Sequence, residues 1–438
     1  MSNVTKACLV LANGQIFEGK TLGRTGCIIG ETVFTTGMNG YLETLTDPSY
    51  YGQIVTQTFP LIGNYGVIPK DFESAASHVR GYIVRSWCQE PSNFRCQENL
   101  DDFLKEQNII GLYDIDTRAL TKVLREAGVM NGMIISGDSK EALEAFAALE
   151  NPEAKSKLLK KIKSYKIVNA VNSVTGSASA IEEAADVVFS ESAEYRFVPV
   201  RADGTKENNP DAAMANGKGK KVVLWDFGAK ANIRRELLKR GLEVITLPST
   251  ASAKEILSLN PDGIMLSNGP GDPKENVEII GEIKKLIKAD KAIFGICLGH
   301  QLLALANGAE TVKLKYGHRG ANQPVKDLSS GRVYITSQNH GYAVKNKSLP
   351  SGALLSFVNT NDGTCEGITY TKFPGFSVQF HPEACSGPLD TSFLFDEFVA
   401  LINNHNHFKN FKTSFERIDS IKYFSSTIKK TKSSIHKN

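Results

Sequence analysis

The residues with the clearest chemical potential are Cys297 and the small residues around it, in the segment Gly-Ile-Cys-Leu-Gly-His-Gln at 295–301. A short apolar run precedes this cysteine, and an amphipathic stretch that ends at Gly308 follows it. A strand, a tight turn that carries a nucleophile and then a helix form a nucleophile elbow. The helix N-terminus favours the thiolate over the thiol, so the position promotes reactivity. A buried structural cysteine is the alternative interpretation.

A histidine with a nearby carboxylate follows a second apolar run. Phe376–Phe380 is apolar, and His381-Pro382-Glu383 comes directly after it. A histidine that leaves a strand can act as a general base, and a carboxylate two residues on can orient it. A lone histidine is usually a satisfied core or surface residue. Nucleophile, base and acid in this order, each at a strand end, instead predict Cys297, His381 and Glu383 as a catalytic triad.

A loop with two glycines and two prolines fits the same site. The apolar strand 263–267 leads into Asn-Gly-Pro-Gly-Asp-Pro at 268–273. Gly269 and Gly271 permit close backbone approach, and the prolines stiffen the loop. Such a loop can direct backbone N–H groups at an oxyanion, with the Leu298 N–H as a second donor, and one such donor contributes ~10²–10³ in rate. An ordinary tight turn is the alternative.

These three motifs together resemble those of the class I (triad) glutamine amidotransferases. Within that group the chain resembles the small, glutamine-hydrolysing subunits of carbamoyl-phosphate synthase. The likeness covers about 1–404, apart from a poorly matching 165–220. Four further segments carry the narrower match, and they are 31–41, 46–50, 114–120 and 226–233.

The resemblance implies where glutamine binds. Its carboxamide would lie beside Cys297, with the carbonyl oxygen near the Leu298 N–H and the loop that contains Gly269 and Gly271. Many relatives have Phe at the position of Tyr342, an exchange that is harmless if the contact is made by the backbone. An implied contact from Ser49, in the N-terminal domain, would also mean that the site lies at the domain interface, a common place for pockets. The remaining implied contacts with glutamine are Ser49, Gln301 and, in a segment at 337–342 that matches a loop of the family, Asn339, Gly341 and Tyr342, the last three at its α-amino and carboxylate end.

The resemblance also implies a reaction and a partner. Glutamine would be hydrolysed to glutamate and ammonia through a cysteinyl thioester. The ammonia would pass to a large synthetase subunit that makes carbamoyl phosphate from bicarbonate and ATP, for arginine or pyrimidine biosynthesis or both. The two subunits would form a heterodimer or a higher oligomer of it.

Two other functions remain open at this point. An amidotransferase subunit could serve another acceptor, as in CTP, GMP or anthranilate synthesis. Those proteins resemble only the half from 220 to 404, so the N-terminal motifs disfavour this alternative. A non-catalytic pseudo-glutaminase would be marked by the loss of a triad residue, and Cys297, His381 and Glu383 are all present.

No cofactor site is predicted in this chain. It lacks a P-loop frame, and no GxGxxG follows a strand. Its eight histidines do not pair with Cys or carboxylates at metal-ligand spacing, and His300 and His318 flank the site in sequence only. We therefore expect no metal here, with ATP and its metal ions on the partner subunit.

Composition limits the cellular setting. No run approaches ~18 apolar residues, so no membrane span is expected. Seven cysteines without a CxxC pair indicate reduced thiols in a cytoplasmic protein. The net charge is +4, and from Lys409 onward eight Lys or Arg face only Glu416 and Asp419. This segment lacks an apolar period, which predicts a disordered, solvated tail and no nucleic-acid binding.

The elements that must position these residues form two structured regions. The first is strand-rich, with predicted strands at Lys6–Leu11, Cys27–Thr36, Gln53–Phe59 and His78–Ser86. One clear helix follows at Arg118–Ala127, capped by Asp116 or Thr117 and ended by Gly128. The second alternates strands and helices, which predicts a three-layer α/β domain with a mostly parallel sheet. The fold class is thus an N-terminal strand-rich mixed α/β domain followed by a three-layer α/β amidotransferase domain. The predicted boundaries are 1–165 for the N-terminal, partner-docking domain, 166–220 for a linker with a possible strand at Tyr195–Val200, 221–404 for the glutaminase domain and 405–438 for the tail.

Overall fold

The computed structural model of the protein describes residues 6–176, 180–182 and 217–404. The predicted strand at Tyr195–Val200 and the predicted tail at 405–438 lie outside these ranges. Within them, no helix combines the length and apolar character that crossing a membrane requires. All seven cysteines are free thiols.

The N-terminal domain is built on a closed barrel. Its strands are β1 (Lys6–Leu11), β2 (Ile16–Gly23), β3 (Gly26–Thr35), β4 (Gln53–Gln57), β5 (Leu61–Ile62), β6 (Gly81–Ile83), β7 (Ser86–Trp87), β8 (Ile110–Tyr113) and β9 (Met130–Ser136). The barrel order is β1-β2-β8-β6-β4-β3-β9, and β5 pairs with β7 outside it. Every residue of β4 is buried, because one face of this strand points into the barrel and the other lies under the surrounding helices.

Helices cover the outside of this barrel, and one of them is the helix that the sequence predicts. Asp116 caps it by accepting a hydrogen bond from the Ala119 N–H at 2.9 Å, and Gly128 ends it with φ 93°. The predicted strand at His78–Ser86 is shorter than expected and spans only Gly81–Ile83. The helices of this domain are Tyr41–Thr46, Leu100–Glu106, Thr117–Ala127, Lys140–Glu150 and Pro152–Ser164.

The second domain is built on a ten-stranded sheet. Its strands are β10 (Ala180–Glu182), β11 (Lys221–Asp226), β12 (Glu243–Pro248), β13 (Gly263–Leu266), β14 (Ala292–Ile296), β15 (Thr311–Asp327), β16 (Val333–Val344), β17 (Ala353–Asn359), β18 (Cys365–Tyr370) and β19 (Gly375–Val378). The order is β10-β12-β11-β13-β14-β19-β18-β17-β15-β16. The five strands from β12 to β19 in this order are parallel, and the others pair antiparallel. The predicted parallel series is therefore the centre of a mixed sheet.

Helices lie on both faces of this sheet and confirm the predicted three layers. Alternate residues of β11 belong to different apolar clusters, one with Ile283 and Leu302 and the other with Leu237 and Phe398. Two packed faces explain why the central strands are apolar throughout. The helices are Ala231–Leu238, Ala253–Ser258, Val277–Lys288, Leu298–Ala306 and Phe393–Asn403.

One prediction about this domain is wrong. The segment 337–342, which we expected as a loop, lies inside β16 and pairs antiparallel with β15. Its Asn, His and Gly are poor strand formers, so its composition suggests a loop. Gln338, Asn339 and His340 are nevertheless buried and hydrogen bonded, and these tertiary contacts override the local preference.

The two domains contact each other directly. The Thr36 N–H donates to the Arg319 carbonyl at 3.1 Å, and Lys313 pairs with Glu31 at 2.6 Å. The segment 166–220, predicted as a linker, contributes the helix Ala170–Val174 and the strand β10, which extends the second sheet.

Candidate active site

Cys297 lies at the predicted elbow, between β14 and the helix Leu298–Ala306. Its backbone has φ 52° and ψ −102°, a conformation that residues other than glycine rarely adopt. The Cys297 N–H donates to the Val378 carbonyl at 2.9 Å, which fixes the turn to β19. Cys297 is only 2% exposed, so its thiol lies at the bottom of the site. A strained residue of this kind is typical of active sites.

Glycines on both sides of Cys297 allow this close packing. A Cβ at Gly299 would lie 2.3 Å from the Leu266 carbonyl oxygen, and a Cβ at Gly295 would lie 2.9 Å from the backbone of Gly299. The Gly299 N–H also donates to the Ser267 carbonyl at 3.0 Å. A larger residue would push the elbow helix away from β13 and displace the thiol. The residues of the motif are therefore small for a steric reason.

His381 and Glu383 lie just beyond the end of β19, the strand that neighbours β14. His381 Nδ1 and Glu383 Oε1 are 2.7 Å apart, and both side chains are buried. Burial and Lys230 oppose a charge on the ring, but Glu383 and Cys297 outweigh them and raise the pKa of His381 to about 9. The ring is therefore an imidazolium at neutral pH, next to the thiol.

The glycine-rich loop 268–273 packs against the start of the elbow helix. A Cβ at Gly269 would lie 2.8 Å from the Leu298 side chain and 2.3 Å from the Phe227 carbonyl oxygen. Gly271 has φ +90°, which favours glycine. The loop and Cys297 line the same cavity, so the backbone N–H groups of the loop are candidates for an oxyanion hole.

A cavity of about 490 Å³ opens onto Cys297 between the two domains. Its volume is suitable for an amino acid. Leu298, His381 and Glu383 do not line it, because they are buried behind the thiol. The predicted residues that do line it are Ser49, Gly269, Gly271, Cys297, Gln301, Asn339, Gly341 and Tyr342.

Tyr342 is held in this cavity by its backbone. Its carbonyl accepts a hydrogen bond from Gln301 Nε2 at 2.7 Å, and the same amide group donates to Gln379 Oε1 at 2.9 Å. His340 Nδ1 is also 2.8 Å from the Tyr342 carbonyl oxygen. The sequence could not indicate whether this residue acts through its ring or its backbone. The contacts are consistent with the backbone.

Two charged residues that the sequence pattern did not indicate lie against the triad. Lys230 Nζ is 3.4 Å from Asp47 Oδ2 and 3.8 Å from Glu383 Oε1. Asp47 also accepts from Asn339 Nδ2 at 3.0 Å. Burial opposes the charge of Asp47, but Lys230 and His381 outweigh it and lower its pKa. The signal was present, because both residues lie in segments that carry the family resemblance.

Ser49 also links the domains. Its Oγ accepts a hydrogen bond from Asn268 Nδ2 at 2.9 Å, so the N-terminal domain touches the glycine-rich loop. Asp47 caps the turn that carries Ser49 by accepting its N–H at 2.9 Å. The structure therefore places Ser49 at the domain interface, as predicted.

Among the described residues, the side chains best arranged for a metal are His318, His340 and Glu366, with ligand atoms within 4.8 Å of one another. Sequence spacing did not indicate this cluster, because pairing of β15 with β16 creates it. His318 Nε2 already contacts Asp362 at 2.9 Å, and His340 Nε2 contacts Gln338 at 3.1 Å. The cluster is therefore a hydrogen-bonded network that stabilises β16.

The positive charge in this network resides on His318. Burial opposes it, but Asp362 and Glu366 outweigh burial and raise the pKa of His318 to about 9. The other histidine that we noted near the elbow, His300, is different. Its Nδ1 contacts Ser377 Oγ at 2.8 Å, and burial lowers its pKa to about 3, so it is a neutral core residue.

Comparison with known proteins is consistent with this geometry. Residues 223–401 match the family described as glutamine amidotransferase class-I, and residues 9–134 match the CPSase domain of the carbamoyl-phosphate synthase small chain. Three proteins named carbamoyl phosphate synthase small chain are similar over nearly their whole length. The one from Clostridium perfringens is 47% identical over 90% of this chain and 99% of its own. The one from Oceanobacillus iheyensis is 46% identical, over 91% and 96%. The one from Bacillus caldolyticus is 45% identical, over 92% and 98%. The predicted resemblance is confirmed, and the chain belongs to the carbamoyl phosphate synthase small chain family.

Proposed function

We propose that this chain hydrolyses glutamine to glutamate and ammonia. The observation that carries the proposal is the buried Cys297 on a strained elbow, next to the hydrogen-bonded pair His381 and Glu383. A cavity large enough for an amino acid leads to the thiol, and the loop with Gly269 and Gly271 lines it. A nucleophile, a base with its orienting carboxylate and backbone donors are the parts that acyl transfer needs.

The first half of the reaction forms a thioester. The Cys297 thiolate attacks the side-chain carbonyl carbon of glutamine, and the carbonyl oxygen becomes an oxyanion. Backbone N–H groups of Leu298 and of the Gly269–Gly271 loop stabilise it. The imidazolium of His381 gives its proton to the nitrogen, the C–N bond breaks and ammonia leaves. This step uses the protonated ring that Glu383 favours.

The second half of the reaction releases glutamate. His381, now neutral, takes a proton from a water molecule that attacks the thioester carbonyl. The C–S bond breaks, so the thiolate and the imidazolium are restored together. Glu383 keeps the ring in the required orientation and stabilises its charged form.

We further propose that the ammonia is delivered to a large synthetase subunit. Two observations support this proposal, the family of the chain and the size of its N-terminal domain. The thioester chemistry needs this domain only for residues such as Ser49 and Asp47. Ammonia is mostly protonated near neutral pH, so a sheltered route preserves its reactivity. The partner would use ATP, its metal ions and bicarbonate to make carbamoyl phosphate, for arginine or pyrimidine biosynthesis or both. We propose a heterodimer, no cofactor in this chain and a cytoplasmic location.

The test uses the full chain together with its synthetase partner. Cys297→Ala should abolish glutamine-dependent synthesis and glutaminase activity, but leave synthesis from ammonium salt unchanged. Cys88→Ser, a substitution in the N-terminal domain away from the cavity, is the matched control and should retain both activities. Glutaminase activity above about a hundredth of wild type in Cys297→Ala would show that another residue is the nucleophile.

The same assay separates the alternatives. A pseudo-glutaminase would release no glutamate even as wild type. An amidotransferase for another acceptor would hydrolyse glutamine but would not form carbamoyl phosphate with the synthetase.

A further inference from the structure

The wall of the cavity contains Arg319, an arginine that has no role in the proposed mechanism. Arg319 lies on β15, directly opposite Asn339 on β16. Its side chain lines the cavity that opens onto Cys297, yet the residue is only 5% exposed. A guanidinium in this position is shielded from bulk water on nearly all sides.

This guanidinium is poorly satisfied by the protein. Nη1 donates to the Tyr316 carbonyl at 2.7 Å, but Nε is buried without a hydrogen-bond partner. In the ranges that the structure describes, no carboxylate lies within ion-pair distance of Arg319. Glu31, an acidic residue of the same cavity, pairs with Lys313 Nζ at 2.6 Å instead. Arg319 therefore has unused donors and no counter-ion.

A buried cation without a counter-ion is costly. Burial lowers the pKa of Arg319, against weaker opposing effects of Glu31 and Tyr50. Arginine nevertheless stays protonated in proteins, so it cannot avoid the cost by losing its proton. Such a group is retained where a ligand supplies the missing negative charge.

The position of the free donors indicates which part of a ligand they meet. A Cβ at Gly341 would lie 3.3 Å from Arg319 Nη2, so this nitrogen sits beside the backbone of Gly341. Gly341 is one of the residues that the family resemblance assigns to the α-amino and carboxylate end of glutamine. The reacting carboxamide must lie at Cys297, and the α-carboxylate is the only anionic group of the substrate.

We propose that Arg319 binds the α-carboxylate of glutamine through its unused Nε and Nη2 donors and thereby selects an amino acid with a free carboxylate. This inference rests on the proposed glutamine hydrolysis and adds a substrate-specificity residue to it. A planar guanidinium matches a carboxylate with two parallel hydrogen bonds, which a lysine cannot reproduce. Binding neutralises the buried cation at the moment when the carboxylate leaves water.

The test compares two substrates that differ only at this end. They are L-glutamine and its α-amide, in which the carboxylate is replaced by a neutral carboxamide. The full chain, with its synthetase partner, is assayed as wild type, Arg319→Gln and Arg319→Lys. Mass spectrometry of the products measures hydrolysis of the side-chain amide alone. We expect wild type to prefer glutamine by about 100-fold in kcat/KM, because a site built for a charged hydrogen bond rejects an analogue that lacks it.

The variants should lose this preference. In Arg319→Gln it should fall below about threefold, through a higher KM for glutamine and little change for the α-amide. Arg319→Lys keeps the charge but not the two-pronged geometry, and should retain about tenfold. Arg332→Gln is the matched control, because this exposed arginine lies at the turn of the same hairpin, and it should keep the full preference. Melting temperatures establish that each variant is folded.

The outcomes separate the inference from the proposed function. If wild type does not hydrolyse glutamine, the proposed function fails. If wild type hydrolyses glutamine but Arg319→Gln keeps the 100-fold preference, the carboxylate is bound elsewhere and the inference is overturned. An equal loss of kcat on both substrates would also overturn it, because Arg319 would then act on the Cys297 thiolate. If Arg319→Gln does not fold, an unchanged preference in Arg319→Lys has the same meaning.

Discussion

At the scale of single residues, the proposed mechanism depends on the protonation state of His381. With its pKa raised to about 9, the ring is charged at neutral pH and can donate a proton to the leaving nitrogen as the C–N bond breaks. Glu383 contributes to that shift from 2.7 Å. The charged ring therefore lies beside Cys297, where the proposed mechanism needs a proton donor.

This leads to a prediction for the pH dependence. Activity should fall as pH rises through about 9, because the imidazolium that protonates the leaving nitrogen is lost. Since the charge of Glu383 raises the pKa of His381, Glu383→Gln should lower it and move this alkaline limb by about 1–3 units toward neutral pH. The measurement is kcat/KM for glutamine between pH 6 and 10, which reports groups of the free enzyme. A limb that stays near 9 in the variant would contradict this role of Glu383.

A second prediction concerns Tyr342. The contact with Gln301 is made by the Tyr342 carbonyl, which Tyr342→Phe retains. The lost hydroxyl interacts with Asp272 at the half-buried edge of the cavity, where one hydrogen bond is worth about 1 kcal/mol. We expect kcat/KM within about fivefold of wild type. Gln301→Leu, which removes the donor to that carbonyl, should cost at least about tenfold, and the reverse order would show that the ring hydroxyl binds substrate.

At the scale of elements, the elbow and the β15–β16 hairpin hold the site from two sides. The elbow depends on close backbone contacts that leave no room for a side chain. At Gly299, an added Cβ would lie only 2.3 Å from the Leu266 carbonyl oxygen. The hairpin depends on hydrogen bonding between its two strands, with irregular register between Lys313 and His318. The first is a steric constraint, and the second is a constraint of strand register.

Two glycine substitutions with opposite expected effects on stability test the steric constraint. Gly299→Ala should lower the melting temperature by several degrees and reduce glutaminase activity by at least about tenfold, because backbone must move to accept the methyl group. Gly281→Ala lies within the helix Val277–Lys288 with no atom within 4 Å of its Cβ, and should instead stabilise by about 0.5–1 kcal/mol. Thermal unfolding of both variants is the measurement. Similar melting temperatures would refute the steric argument.

At the scale of the whole molecule, the active site is assembled from both domains. Asp47 of the N-terminal domain pairs with Lys230 at 3.4 Å, and Lys230 in turn lies 3.8 Å from Glu383. Ser49 contacts the glycine-rich loop from the same side. Docking of the domains therefore places a buried charge network behind the triad, and the glutaminase domain alone would lack part of it.

Asp47→Asn tests this dependence with little change of shape. It removes the charge that partners Lys230, so the buried ammonium should shift toward Glu383 and compete with His381 for it. We expect kcat/KM for glutamine to fall about tenfold or more. Asp71→Asn is the control, because Asp71 pairs with Arg95 in the same domain but does not line the cavity. Unchanged kinetics in a folded Asp47→Asn would mean that the N-terminal domain does not tune the triad.

The sequence by itself determined the parts of the site that are local. Strand, nucleophile and helix occur within one segment around Cys297, and His381 and Glu383 are two residues apart. Periodicity likewise predicted the three-layer domain, and a cap at Asp116 or Thr117 predicted the helix Arg118–Ala127, which the structure has at Thr117–Ala127. Such features depend on neighbours in the chain, so their signals are present in the order of the residues.

Only the tertiary structure decided the rest. Asp47 and Lys230 lie in segments that carry the family resemblance, but only the fold shows that their charges meet beside the triad. Nothing in the spacing of Arg319 distinguishes it from a solvated residue. The polar segment 337–342 became a strand only through pairing with β15, and that pairing faces Arg319 with Asn339. The physical reason is that a charge acquires its role from burial and from its partners, which the fold brings together across hundreds of residues.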